Sequence, residues 1–79
     1  MKIKIIGSNS SNRMKLLKNV TKTIENMKGK IEVELLEDEK YLNKYGITNA
    51  PGLVIEDKLV SQGKVINERE IKNFIKILS

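Results

Sequence analysis

Two strand-like patterns separated by one amphipathic stripe constrain this chain more than any other feature. Lys2-Ile3-Lys4-Ile5-Ile6 alternates polar and apolar residues and then turns apolar, as a strand entering a core does. Residues 31–36, Ile-Glu-Val-Glu-Leu-Leu, read as a second strand. Between them Met14, Leu17, Val20, Ile24 and Met27 recur at helical spacing and form one apolar stripe. The run Gly7-Ser8-Asn9-Ser10-Ser11-Asn12 is turn-rich and supplies N-cap residues, and Gly29 is placed to close the helix. Two strands joined through a long helix form a right-handed parallel crossover. The chain therefore begins as a β-α-β unit.

The remainder completes an α/β domain. Asp38 is a candidate cap for a short helix over residues 38–44, which Gly46 ends. Pro51 precedes the apolar run Gly52-Leu53-Val54-Ile55-Glu56, a third strand. Asp57-Lys58 reads as a tight turn into a fourth strand, Leu59-Val60-Ser61-Gln62, which makes the last two strands an antiparallel hairpin. Asn67 with Glu70 forms a capping-box pattern before a helix that carries Ile71, Phe74, Ile75 and Leu78 on one face. The order is β-α-β-α-β-β-α, a four-stranded mixed sheet flanked by three helices, which must cover both faces to hide the strands. With 79 residues there is room for one domain, residues 1–79.

Composition removes several classes of function. The chain holds no cysteine and no histidine. A disulfide framework, a thiolate metal site, a cysteine nucleophile and the commonest general base are all excluded. No apolar run is long enough to span a bilayer, and the first strand lacks a signal-peptide core, so a cytoplasmic location is expected, without a membrane partner. The net charge is +5. The lysines are spread among acids, and no aromatic platform stands between them to stack bases, so a nucleic-acid partner is disfavoured. Glu37, Asp38 and Glu39 read as charge bias at a helix start rather than as a metal cluster. Tyr41 and Tyr45 share one helix face and read as packing residues with hydroxyls reaching water. No cofactor is implied.

The element order, with the stretches Ile3 to Gly7, Asn49-Ala50-Pro51-Gly52-Leu53-Val54-Ile55 and Glu70 to Ser79, resembles the thioredoxin/glutaredoxin fold without its amino-terminal extension. More specifically, the whole chain is similar to the small redox-active disulfide proteins, a family of minimal thioredoxin-like domains. Members carry Cys-x-x-Cys in a glycine-led loop at the start of the first helix. The resemblance implies that Pro51 is cis and faces that loop. Aligning Gly7 places Ser10 and Arg13 at the two cysteine positions, so Ser10-Ser11-Asn12-Arg13 stands where the dithiol would be. Neither residue can replace a thiolate, and thiol–disulfide exchange requires one.

Two readings of function follow. The first is a non-catalytic peptide- or protein-binding module, whose groove beside Pro51 is lined by Ser8, Asn9, Asn49 and Ala50 and pairs with a partner strand. The alternative is a thiol–disulfide oxidoreductase of the same family in a cysteine-less form. At the first helix amino terminus, Ser8, Ser10, Ser11 and Arg13 are also candidates to hold a small anion, through free N–H groups and the guanidinium fork. The plainer expectation there is one serine capping the helix and a solvated Arg13. An exposed hairpin edge also leaves room for self-association.

Overall fold

The structure, a computed structural model, describes residues 1–79. Its elements are β1 (Lys2–Ile6), α1 (Ser11–Glu25), β2 (Glu32–Leu36), α2 (Glu39–Tyr45), β3 (Gly52–Ile55), β4 (Lys58–Gln62) and α3 (Glu68–Leu78). The sheet runs β2-β1-β3-β4, with β1 parallel to β2 and antiparallel to β3, and β3 antiparallel to β4. This is the expected minimal thioredoxin-like architecture, with a mixed sheet and three helices.

Alternation along the two central strands divides the core. Ile3 and Ile5 of β1 and Leu53 and Ile55 of β3 point to one face, where Leu16 and Val20 of α1 and Ile71 and Ile75 of α3 cover them. Ile6 and Val54 point the other way, onto Ile47 and a fringe that includes Tyr41, Leu42 and Tyr45 of α2. Every β3 residue is buried, as expected of a strand covered on both faces.

Most of the expected stripe meets the core: Val20 is buried, and Leu17, Ile24 and Met27 pack half-buried against it. Met14 does not, being 53% exposed. The buried face also takes in Arg13, Leu16 and Thr23, two of which an apolar count skips. Gly29 does not cap α1 either; the helix ends at Glu25, with Asn26 as C-cap.

The hairpin turn also lies one residue earlier than expected. Glu56 and Asp57 are its central residues, both at positive φ (51° and 64°), the geometry of a two-residue hairpin turn. Glu56 is held there from both sides: its N–H donates to Lys2 O, and its carboxylate accepts the Lys2 N–H. Asp38 caps α2, Gly46 ends it, and Asn67 caps α3 by accepting the Glu70 N–H at 2.9 Å.

The Tyr45 hydroxyl is not left to water. It accepts from Lys4 Nζ at 2.9 Å and donates to Asp57 Oδ1 at 3.1 Å, tying β1, α2 and the hairpin together. Hydrogen bonding to Tyr45 is the main cause that raises the Lys4 pKa and lowers that of Asp57.

Candidate functional site

The site expected from sequence lies where β1 leaves the sheet and β3 enters it. Gly7 follows β1 at φ +149°, a conformation that side chains disfavour. A Cβ at Gly7 would stand 3.0 Å from Ala50 Cβ and 3.4 Å from Pro51 Cα. Glycine thus lets the loop before α1 lie against the loop before β3, and it brings the two candidate segments together. The Ala50–Pro51 peptide is cis.

Ser10 begins α1 as its N-cap, in extended conformation (φ −154°, ψ 165°). Its Oγ accepts the Arg13 N–H at 3.1 Å, and its carbonyl accepts the Met14 N–H. The expectation that one serine caps the helix holds, and Ser10 is the residue. Ser8, Asn9 and Ser11 are exposed beside it.

Arg13 departs from the expectation of a solvated side chain, because the residue is only 7% exposed. One nitrogen of its fork is turned to the protein. Nη1 donates to Glu37 Oε1 at 2.6 Å and to Gly7 O at 3.3 Å. Nε is buried without a hydrogen-bond partner. At the position that the resemblance aligns with a second cysteine, this chain places an arginine paired with a carboxylate of its own.

The parallel register explains the partner. Ile6 pairs with Leu36, and the Gly7 N–H donates to Leu36 O at 2.9 Å, so Glu37 is the next residue beside Gly7. The crossover also delivers the first turn of α1 to this corner. In the sequence Glu37 reads only as part of an acidic helix start. Its position directly after the second strand of a parallel crossover was the signal available for its role.

Asn49 and Ala50 are exposed, and Pro51 is buried. The Pro51 carbonyl accepts the Gly63 N–H at 2.9 Å. The N–H and C=O of Ala50 have no hydrogen-bond partner within the protein. This free donor and acceptor, one residue before Pro51, are the open main-chain groups of the site. Gln62 was not foreseen: its Oε1 accepts both the Thr48 and the Asn49 N–H, at 2.8 and 3.0 Å. Nothing in the spacing of Gln62 marked it, since the contact depends on how the strand end folds over the loop.

No cavity encloses Ala50; one of about 360 Å³ lies on the far side of Gln62, over Val60, Ile66 and Phe74. Another of about 220 Å³ sits near the C-terminal ends of α1 and α3, over Met27, Ile31 and Ile75, with Lys28, Lys30 and Lys76 around it. Those lysines stand at the carbonyl ends of two helices, which their charge complements. The surface at Ala50 is open rather than enclosed, a shape suited to an extended chain more than to a small molecule. No group of three or more histidine, cysteine, aspartate or glutamate side chains is placed to hold a metal ion. No helix is long and apolar enough to cross a membrane.

Comparison with known proteins gives one result. A family model described as a thioredoxin domain matches residues 1–76. No curated protein and no solved structure matches.

Proposed function

The chain belongs to the thioredoxin domain family, and on that premise we propose that it is a non-catalytic peptide- or protein-binding module, docking an extended segment beside Pro51. With no cysteine in the chain, a mixed disulfide with a partner has no sulfur to form on. What is left for the site to offer is shape and main-chain hydrogen bonds.

The observation that carries this reading is Ala50, exposed and with both main-chain groups unpaired. Exposed backbone at the margin of a sheet is a template for strand addition, in which main-chain bonds give affinity and side-chain positions give selectivity. Ser8, Asn9, Ser11 and Asn49 are uncharged and exposed on the two loops that meet at Gly7, and Arg13 pairs with Glu37. Arg13 Nη1 is engaged within the protein by Glu37 and Gly7.

The test is selection of linear peptides from a random display library against the full chain, followed by amide-shift mapping. Selected peptides that move the amides of Ser8 to Ser11 and of Asn49 and Ala50 support the module. A library that yields no binder, or binders that move only amides elsewhere, removes it.

A further inference from the structure

We propose that Gln62 is the positioning residue of the Ala50 surface, holding the segment before Pro51 in the conformation that a partner strand requires; this rests on the binding role proposed above. Gln62 is the last residue of β4 and lies opposite Gly52 in the sheet. Its Oε1 accepts three donors from the adjoining loop: the Thr48 N–H at 2.8 Å, the Asn49 N–H at 3.0 Å and the Thr48 hydroxyl at 3.3 Å. The two main-chain bonds come from consecutive residues, immediately before Ala50. One side-chain oxygen therefore serves two N–H groups that the loop leaves without other partners.

The neighbouring contacts hold the same segment from its other sides. The Gly63 N–H donates to Pro51 O, and a Cβ at Gly63 would stand 2.9 Å from Asn49 Cβ. Across the loop, the hydrogens of Gly7 face Ala50 where a Cβ would approach to 3.0 Å. Residues 48 and 49 are themselves exposed and belong to no helix or strand. Without the glutamine oxygen they would keep neither of these bonds. Ala50 would then be linked, on its amino-terminal side, to a segment held by packing alone. An extended ligand gains affinity when its docking edge is already ordered, because the ordering cost is not met on binding. Gln62 acts through residues 48 and 49 and need not touch the ligand.

The chemistry of the contact sets the test. All the bonds use Gln62 as an acceptor, and its amide N–H₂ group makes none within the protein. Gln62→Glu keeps the acceptor, Gln62→Met keeps the length without it, and Gln62→Asn keeps the amide one methylene short. Each variant is measured as the full chain, by hydrogen exchange of the Thr48 and Asn49 amides and by affinity for a library-selected peptide that binds the parent. Gln62→Met and Gln62→Asn should speed exchange at both amides about tenfold. They should weaken the peptide about tenfold. Gln62→Glu should restore both properties, a rescue that loss of bulk alone does not produce.

Unchanged exchange in Gln62→Met and Gln62→Asn overturns the inference, as does faster exchange with unchanged affinity. If Gln62→Met lowers overall stability, the Asn and Glu variants decide the matter between themselves. Parent binding that survives these changes removes Gln62 alone, whereas a parent that binds no peptide removes the binding role and the inference together.

Discussion

Removing Glu37 should cost more stability than removing Arg13, although the two form a single ion pair. The Arg13 side chain is 8% exposed and the Glu37 side chain 61%. In Glu37→Ala the guanidinium stays in place, keeping only the 3.3 Å bond to Gly7 O and a buried Nε without a partner. Breaking a fully buried pair costs about 3–5 kcal/mol, and an exposed pair contributes under about 1 kcal/mol. Water reaches the carboxylate side here, so a loss of about 2 kcal/mol is expected, near that of a charged hydrogen bond. In Arg13→Met the stem is replaced by an apolar chain, and Glu37 is released into water, where it needs no partner. That change should cost under about 1 kcal/mol. In a domain of this size, 2 kcal/mol corresponds to a fall in Tm of about 10 °C. Urea unfolding followed by circular dichroism measures both variants, and the double variant should match Arg13→Met. An Arg13→Met chain as unstable as Glu37→Ala, or less stable, would refute the claim that burial of the arginine is the costly half of the pair.

Gly7→Ala places a Cβ against Ala50 at φ +149°; it should cost about 1–3 kcal/mol and shift the Ala50 and Asn49 amides in a nitrogen–proton spectrum. Leu16→Ala in the main core should cost about 2–5 kcal/mol, while Met14→Ala, on an exposed flank, should stay within about 0.5 kcal/mol by the same urea titration. The Asp57 carboxyl is held below its ordinary value of 3.8, chiefly by the hydrogen bond from the Tyr45 hydroxyl and then by the Lys4 charge. Its contribution is therefore complete above pH 3.8 and is lost as the pH falls through the folded-state value. Asp57→Asn should flatten that acid limb and leave the slope near neutrality unchanged in stability–pH curves.

The architecture was legible because its signals are local and repeat. Alternation in β1, the caps at Asp38 and Asn67, and Gly46 after α2 each report on a few neighbouring residues. The apolar count captures the inward face of α1 only in part: Arg13 and Thr23 occupy buried positions, and a count of apolar residues passes over them. The turn at Glu56–Asp57 was displaced by one residue because neither residue is a glycine or an asparagine, the usual marks of positive φ. At the site, Gly7, Ser10 and Pro51 were readable from a short stretch and a resemblance. Glu37 and Gln62 were not, because their partners lie 24 and 13–14 residues away and depend on strand register and loop folding. The sense of Arg13 turned on the same fact. An arginine at a helix start suggests a ligand until the neighbouring strand supplies a carboxylate.

The direct test of the account is hydrogen exchange at the Ala50 amide, in the free chain and with a saturating library-selected peptide. The free amide has no partner within the protein and should exchange quickly. A partner strand paired to Ala50 should slow it by at least about tenfold, with the Thr48 and Asn49 amides little altered. An Ala50 amide that exchanges equally fast in the free and saturated states would contradict strand addition at Pro51.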